Sequence, residues 1–449
     1  MLLYIHVPFC RSKCAYCSFY SLRLPRDGAG ACMTRRYLSA LIGEMRARAE
    51  CSEASGPGAK PPEGLRKGLA SGRKAVSTVF FGGGTPSILP GKAIAGILEE
   101  ARKCFALSAE TEITLEANPE SLLEGDCASA ARKAGVNRLS IGVQSFDDAA
   151  LTLLGRAHDS RQAEAAFATA RRAGFSNINL DLIWGLPGKD GRPQSQMQWL
   201  ATLRRAVNLQ PEHISTYGLN LEEGLSLTRR VEEGELALPG ERELASMYLA
   251  GSEFLEAHGY MQYEISNFAR MGFPCRHNSG YWRGEDYLGL GPAAASTLDG
   301  RRRTNPADLK TWADNAEKGE DSAFREELDA LTGLKEMLML RLRTCAGLSF
   351  SEWQMKAGRP FLSDFGAQAT LLQQNGLART RAGNFYLTRT GMLVSDTILA
   401  RFFAELENVF ARFADHPRPK FRAAEIRLSP GNCPPRHKRR AHRHPHSHH

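Results

Sequence analysis

Three cysteines at the head of the chain limit it more than any other feature. Residues 4–19 read Tyr-Ile-His-Val-Pro-Phe-Cys-Arg-Ser-Lys-Cys-Ala-Tyr-Cys-Ser-Phe, which sets Cys10, Cys14 and Cys17 at the spacing C-x3-C-x2-C. The apolar run from Leu2 to Val7 reads as a strand that delivers the chain into this loop, and Pro8 keeps the entry extended. Three thiolates on one loop can hold three corners of an iron–sulfur cube, because soft sulfur suits iron, and they leave one iron open. The competing readings are weaker. Structural zinc closes its shell with four ligands, and only His6 lies nearby. A disulfide would leave an odd thiol and would need an oxidising compartment.

Behind the cysteines the periodicity alternates. Thr34 to Glu50 carries apolar residues at helical spacing, with Thr34 as the expected N-cap. Residues 51–75 lose periodicity in Gly, Pro, Ser, Ala and Lys, and read as a flexible surface insertion. Strands are then expected over 76–81, 112–117, 138–143, 177–184 and 213–219, with helices over 93–105, 125–134, 161–173 and 196–208 between them. With Leu2 to Val7 this makes six strands. Strand–helix alternation demands right-handed crossovers and a parallel sheet, whose sites lie at the C-terminal ends of the strands.

The polar signatures fall at those ends. Gly82-Gly83-Gly84-Thr85 follows the second strand, where glycines let the backbone approach a ligand and present N–H groups. No Gly-Lys-Ser/Thr follows, so this is not a Walker loop. Glu116, Gln144 and Asp181 mark the next three ends, with Arg156 behind Gln144. Singly, each could be a cap, a buried hydrogen-bonding group or a surface charge; together they point to one polar ligand.

Further on, 244–256 reads as a helix and 260–268 as extended chain, before Cys275-Arg276-His277-Asn278-Ser279-Gly280-Tyr281-Trp282. This last stretch has two readings: a packed aromatic loop, or a haem site in which His277 ligates iron between Tyr281 and Trp282. Beyond residue 305, the order is helix (331–343), helix (371–377), hairpin (378–387, turning at Gly383-Asn384) and helix (393–403), a winged-helix-like order. A DNA-reading role needs a basic recognition helix, which Gln373, Gln374 and Asn375 do not supply.

The formal charge of +9 misleads, because the tail from His416 holds nine of the 58 Lys and Arg and a single acid, Glu425. The rest of the chain is nearly balanced, which leaves no electrostatic case for nucleic acid as a partner. The tail, with seven of the twelve histidines, is expected to be disordered. The motif starts so close to Met1 that no secretory leader is expected, and the other cysteines are scattered; both point to a reducing cytoplasm.

The cysteine motif, with an aromatic before its third cysteine, resembles the radical SAM superfamily. The longer phrase Tyr-Ile-His-Val-Pro-Phe-Cys is similar to its HemN/HemW branch. The resemblance implies an α/β chain: a partial six-stranded (β/α) radical SAM barrel with a C-terminal winged-helix-like accessory domain. It divides the chain into a barrel at 1–225, a connecting extension at 226–304, an accessory domain at 305–415 and a tail at 416–449. It implies a 4Fe-4S cluster on Cys10, Cys14 and Cys17, and S-adenosyl-L-methionine (SAM) held by Tyr4, the backbone at Tyr16, Gly83, Gly84, Thr85, Glu116, Gln144, Arg156 and Asp181. In that family an oxidase carries a fourth cysteine two residues after the third, where this chain has Phe19, and an N-terminal arm for which there is little room here. His-Asn-x-x-Tyr-Trp resembles the haem motif of the other subgroup, with haem at His277, Tyr281 and Trp282. That subgroup implies a haem chaperone, with respiratory haem proteins as recipients, a reductant such as flavodoxin or ferredoxin, and peripheral membrane contact. The alternatives are oxidative decarboxylation of coproporphyrinogen III and radical SAM chemistry on an unknown substrate.

Overall fold

The strand that enters the cysteine loop is the middle of a wide sheet. A computed structural model describes residues 1–53, 73–188, 192–320 and 323–413. The six expected strands are present: β1 Leu2–Val7, β2 Ala75–Gly83, β3 Ala106–Ala117, β4 Arg138–Gln144, β5 Ile178–Trp184 and β6 His213–Gly218. They pair in parallel in chain order. Helices Gly28–Glu53, Gly91–Cys104, Cys127–Ala134, Ser160–Arg172 and Gln196–Asn208 return the chain between them. Two of these start with reciprocal capping boxes, Asp159 with Gln162 and Ser195 with Gln198.

Each strand divides its residues by face. Outward positions such as Val79, Phe81, Leu115, Leu139, Ile141, Leu180 and Leu182 are apolar and join the main core under the helices. The alternate residues on the inner face are Thr114 on β3, Arg138 and Ser140 on β4, Asn179 and Asp181 on β5, and His213 and Ser215 on β6. Nearly all of these are buried. Alternation with period two thus gives a dry outer layer and a polar lumen.

Four expectations are corrected. The sheet does not stop at six strands: Tyr287–Leu290 pairs in parallel with β1, Ala295–Leu298, Arg301–Thr304 and Phe324–Glu327 extend that edge antiparallel, and Asn267–Ala269 and Met261–Gln262 extend the β6 edge antiparallel, to a 12-stranded sheet among the described residues. These strands are short and flanked by Gly and Pro, so their pattern is faint in sequence. Thr34 is no cap. The first helix begins at Gly28, its first amides taken by Asp27 Oδ1, while the Thr34 hydroxyl donates back to the Gly30 carbonyl. The 260–268 stretch is strand only at Met261–Gln262 and Asn267–Ala269. The hairpin turns at Ala382 and Gly383, both at positive φ, and Asn384 opens the next strand. The 51–75 insertion falls largely outside the described residues, as does the tail.

A second core gathers Trp353, Phe361, Phe365, Phe385 and Phe402 under the three-stranded wing of the C-terminal unit. Arg341 ties this unit to the end of the helix Arg276–Trp282, its guanidinium donating to the Trp282 and Arg283 carbonyls while pairing with Glu352. A cation there suits the C-terminal end of the helix Arg276–Trp282. No helix among the described residues is long and apolar enough to cross a membrane.

The added strands are locked to the first helix by Glu44. Its buried carboxylate accepts from the Gly291 amide (2.9 Å), Asn305 Nδ2 (2.7 Å) and Trp312 Nε1 (3.0 Å). Glu44→Ala would strand three buried donors, each worth about 1–3 kcal/mol. We expect a loss of about 3–5 kcal/mol by urea unfolding followed through tryptophan fluorescence. A loss below about 1 kcal/mol would contradict this role.

Candidate functional site

The cysteine loop is fastened at both ends and in its middle. Phe9–Cys10 pairs in parallel with Leu22–Arg23, and the Leu24 amide donates to the Cys10 carbonyl at 2.9 Å. Between these, the Ala15 amide donates to the Leu154 carbonyl, and the Ala15 carbonyl accepts from the Leu227 amide. All three cysteines, Cys10, Cys14 and Cys17, thereby line one chamber of about 420 Å³ with Tyr16, Gly83, Gly84, Thr85, Glu116, Gln144, Arg156 and Asp181. Burial pushes the Cys10 and Cys17 thiols upward, and hydrogen-bond donors oppose it.

Two side-chain donors to the cysteine sulfurs belong to one relay. Thr85 Oγ1 donates to Cys10 Sγ at 3.5 Å, and Arg156 Nη1 donates to Cys14 Sγ at 3.3 Å. Asn118 joins them: its Nδ2 donates to Thr85 Oγ1 (3.0 Å) and its Oδ1 accepts from Arg156 Nη2 (2.7 Å). Arg156 also reaches the Gly142 carbonyl at 2.7 Å. Donors on sulfur and a buried guanidinium beside it are the surroundings that three thiolates require. The donor set therefore fits an iron–sulfur cluster on Cys10, Cys14 and Cys17.

The glycine turn works differently from its expected role. The Gly83 amide donates to Glu116 Oε2, the Gly84 amide to the Val7 carbonyl and the Thr85 amide to the Phe9 carbonyl. These N–H groups are spent on the scaffold. The glycines supply room instead: a Cβ on Gly84 would sit 2.5 Å from the Phe9 carbonyl oxygen, and Gly83, at φ 109°, lies against the His6 ring. Gln144 stands at φ 65° on a bulge where β4 slips against β5, a conformation that non-glycine residues rarely adopt.

Below this chamber lies a second, of about 240 Å³, sharing Phe19, Gly83, Glu116, Ser140, Asp181 and Tyr217 with the first. Tyr4 lines it, its hydroxyl 3.1 Å from His6 Nδ1. Asp181 accepts from Ser140 Oγ (3.0 Å) and Asn179 Nδ2 (2.8 Å). Burial, reinforced by Asp181, pushes the Glu116 carboxyl up to about 8. Phe19 is 67% exposed although it lines both chambers, which puts it at their mouth.

His277 is 1% exposed and belongs to a helix, not a loop. That helix starts where Glu112 accepts from the Arg276 and His277 amides, both at 3.1 Å. The imidazole stacks on Phe80 at 4.9 Å, meets Tyr281 edge-on at 4.9 Å and places Nδ1 2.7 Å from Thr78 Oγ1. Its Nε2 is buried with no hydrogen-bond partner, and the residue lines the lower chamber. Burial drives its pKa down to about 3, so the ring is neutral. Tyr281 lines the chamber too; Trp282 does not. Asn118, Arg138, Asn179, Ser215 and Tyr217 were absent from the residues singled out in the sequence. The signal that marks all but Asn118 is polar alternation inside the strands, as in Arg-Leu-Ser-Ile-Gly over 138–142.

Comparison with known proteins gives consistent matches. The family model described as the radical SAM superfamily matches residues 4–197, and that of the HemN C-terminal domain matches residues 328–394. A Bacillus subtilis protein named "Heme chaperone HemW" is 33% identical over 90% of this chain and 99% of its own length. The Escherichia coli protein of that name is 33% identical over 90% and 98%. The bovine mitochondrial radical S-adenosyl methionine domain-containing protein 1 is 35% identical over 91% and 88%. Among solved structures, the coproporphyrinogen III oxidase HemN of Escherichia coli, a radical SAM enzyme, superposes with a TM-score of 0.71 at 25% identity, covering 89% of each chain.

The raised Glu116 carboxyl has a pH signature. An unfolded carboxyl titrates near ~4.3, whereas the folded one keeps its proton up to about 8. Its stabilising contribution is therefore complete below the unfolded value and is lost as pH rises through the folded one. Between pH 5 and pH 9, the cluster-free protein should lose more stability to urea than Glu116→Gln does. Equal pH slopes would contradict the assignment.

Proposed function

This chain belongs to the HemW family of radical SAM proteins, and from that membership we propose that it is a haem chaperone: it binds haem and releases it to respiratory haem proteins. Cys10, Cys14 and Cys17 would hold a 4Fe-4S cluster. When bound, such a cluster supplies an open iron for the amino and carboxylate groups of SAM. Around it Arg156 would pair with the methionyl carboxylate, and Glu116 and Asp181 would meet the ribose or ammonium groups. Tyr4, Tyr16, Gly83, Gly84, Thr85 and Gln144 would shape the remaining walls. We propose flavodoxin or ferredoxin as reductant, action in a reducing cytoplasm and peripheral contact with a membrane. We also propose the division into a barrel at 1–225, a connecting extension at 226–304 and an accessory domain at 305–415, with the strands between Tyr287 and Glu327 joined to the barrel's sheet.

The observation that carries the haem reading is His277 Nε2: buried, uncharged and without a hydrogen-bond partner. Iron needs a neutral imidazole whose other nitrogen is held, and Thr78 Oγ1 stands at Nδ1 to hold it. The lower chamber, at about 240 Å³, is smaller than sites that engulf drug-sized ligands, ~300–1,000 Å³. A porphyrin at His277 would draw on both chambers, with Tyr281 beside it and Trp282 at the outer end of the same helix. Haem and SAM, sharing walls, would then influence each other's binding.

The purified protein should bind about one haem per chain, by the logic of a single axial ligand. His277→Ala should weaken binding by about tenfold or more, or shift the Soret band, with the cluster retained. Cys→Ser at 10, 14 or 17 should abolish the cluster's visible absorption. Unchanged haem binding by His277→Ala moves the site elsewhere. Conversion of coproporphyrinogen III at enzymatic rates favours the oxidase and ends the chaperone reading.

A further inference from the structure

We propose that the lower chamber of the lumen is a carboxylate-binding site whose cation is Arg138. The residue is 2% exposed, on the inner face of β4, and lines that chamber. Among the described residues no carboxylate lies within 4.0 Å of its guanidinium, and no hydrogen bond from that group is found; Nε is buried without a partner. Three acids act on it through space and are engaged elsewhere, Glu116 with the Gly83 amide. Glu112 accepts from the Arg276 and His277 amides and from Cys275 Sγ. Asp181 accepts from Ser140 and Asn179. A buried, unpaired cation is strongly unfavourable and is kept where an anion completes it.

The chamber states what kind of anion. A guanidinium presents a planar fork of N–H donors that matches the two oxygens of a carboxylate. Asn179, Ser215 and Tyr217 line the same space, as does His277 with its unpartnered Nε2. Glu116 and Asp181 in the wall disfavour a doubly charged phosphate, whereas one monoanion balances one guanidinium. A volume of about 240 Å³ takes a short carboxylic acid or an acid arm, and not a whole macrocycle. The carboxylate can come from a free short acid or from a propionate of haem. The haem source rests on the function proposed above; the free-acid source does not.

Carboxyl-13C-labelled sodium propionate, haem and haem dimethyl ester distinguish the sources on the full-length protein. A free-acid site gives propionate binding, read by line broadening, that falls at least tenfold in Arg138→Gln and partly returns in Arg138→Lys. A porphyrin-arm site leaves free propionate unbound. It weakens haem binding at least tenfold both on esterification and in Arg138→Gln. The ester comparison needs no variant, so it decides even if the substitutions unfold the chain. If haem and its dimethyl ester bind alike and propionate does not bind, the proposal is overturned while the haem reading stands. Propionate bound equally by wild type and Arg138→Gln also overturns it. If wild type binds neither haem nor propionate, both fall.

Discussion

Arg156 is the fastening on which the site depends. One guanidinium spans the cysteine loop, through Cys14 Sγ, the end of β3, through Asn118, and the end of β4, through the Gly142 carbonyl. Without it the loop would hang on that side from the Leu154 and Leu227 backbone contacts and the Ser226 hydroxyl. Charge-assisted bonds to a neutral amide, a carbonyl and a sulfur are short-range and directional, so they fix the loop's height above the sheet as well as its position. The relay through Asn118 to Thr85 carries the same constraint to Cys10.

The inner layer of the lumen beneath this fastening is largely polar on β4, β5 and β6. Asn179 shows how such a layer is kept: its Nδ2 donates to Ser140 and Asp181, while its Oδ1 accepts from Ser215 and faces His213 Nδ1 at 2.6 Å. His213 in turn meets the Tyr263 hydroxyl. Buried polar groups that satisfy one another are stable, and among the described residues of this layer His277 Nε2, Arg138 Nε and Thr114 Oγ1 are left without a partner. Helix Arg276–Trp282 closes the lumen from below and is itself gripped by Arg341 of the C-terminal unit, which links that unit to the imidazole.

Much of this was legible in the sequence, for identifiable reasons. The six strands of the barrel carry runs of apolar outward residues, and two of their helices start at capping boxes, so periodicity locates them. The cysteine spacing and the polar strand ends gave the upper chamber. The strands from Tyr287 on are four residues each, and the first of them joins the sheet by pairing with β1 at the far end of the chain, which no local pattern records. That the amides of the glycine turn are spent on the scaffold was not legible, because a glycine needed for close packing looks the same in sequence as one needed for a ligand. Arg138 was passed over because a buried charge inside a strand is visible only once its neighbours are known to be engaged.

The most direct test of the account is haem transfer. The protein would be loaded with haem, freed of excess, and mixed under reducing, anaerobic conditions with a haem-free b-type acceptor, while the acceptor's Soret band is followed. A chaperone gives complete transfer, with a rate that depends on the acceptor's concentration. Haem that stays bound, or that leaves at a rate independent of the acceptor, would contradict the account.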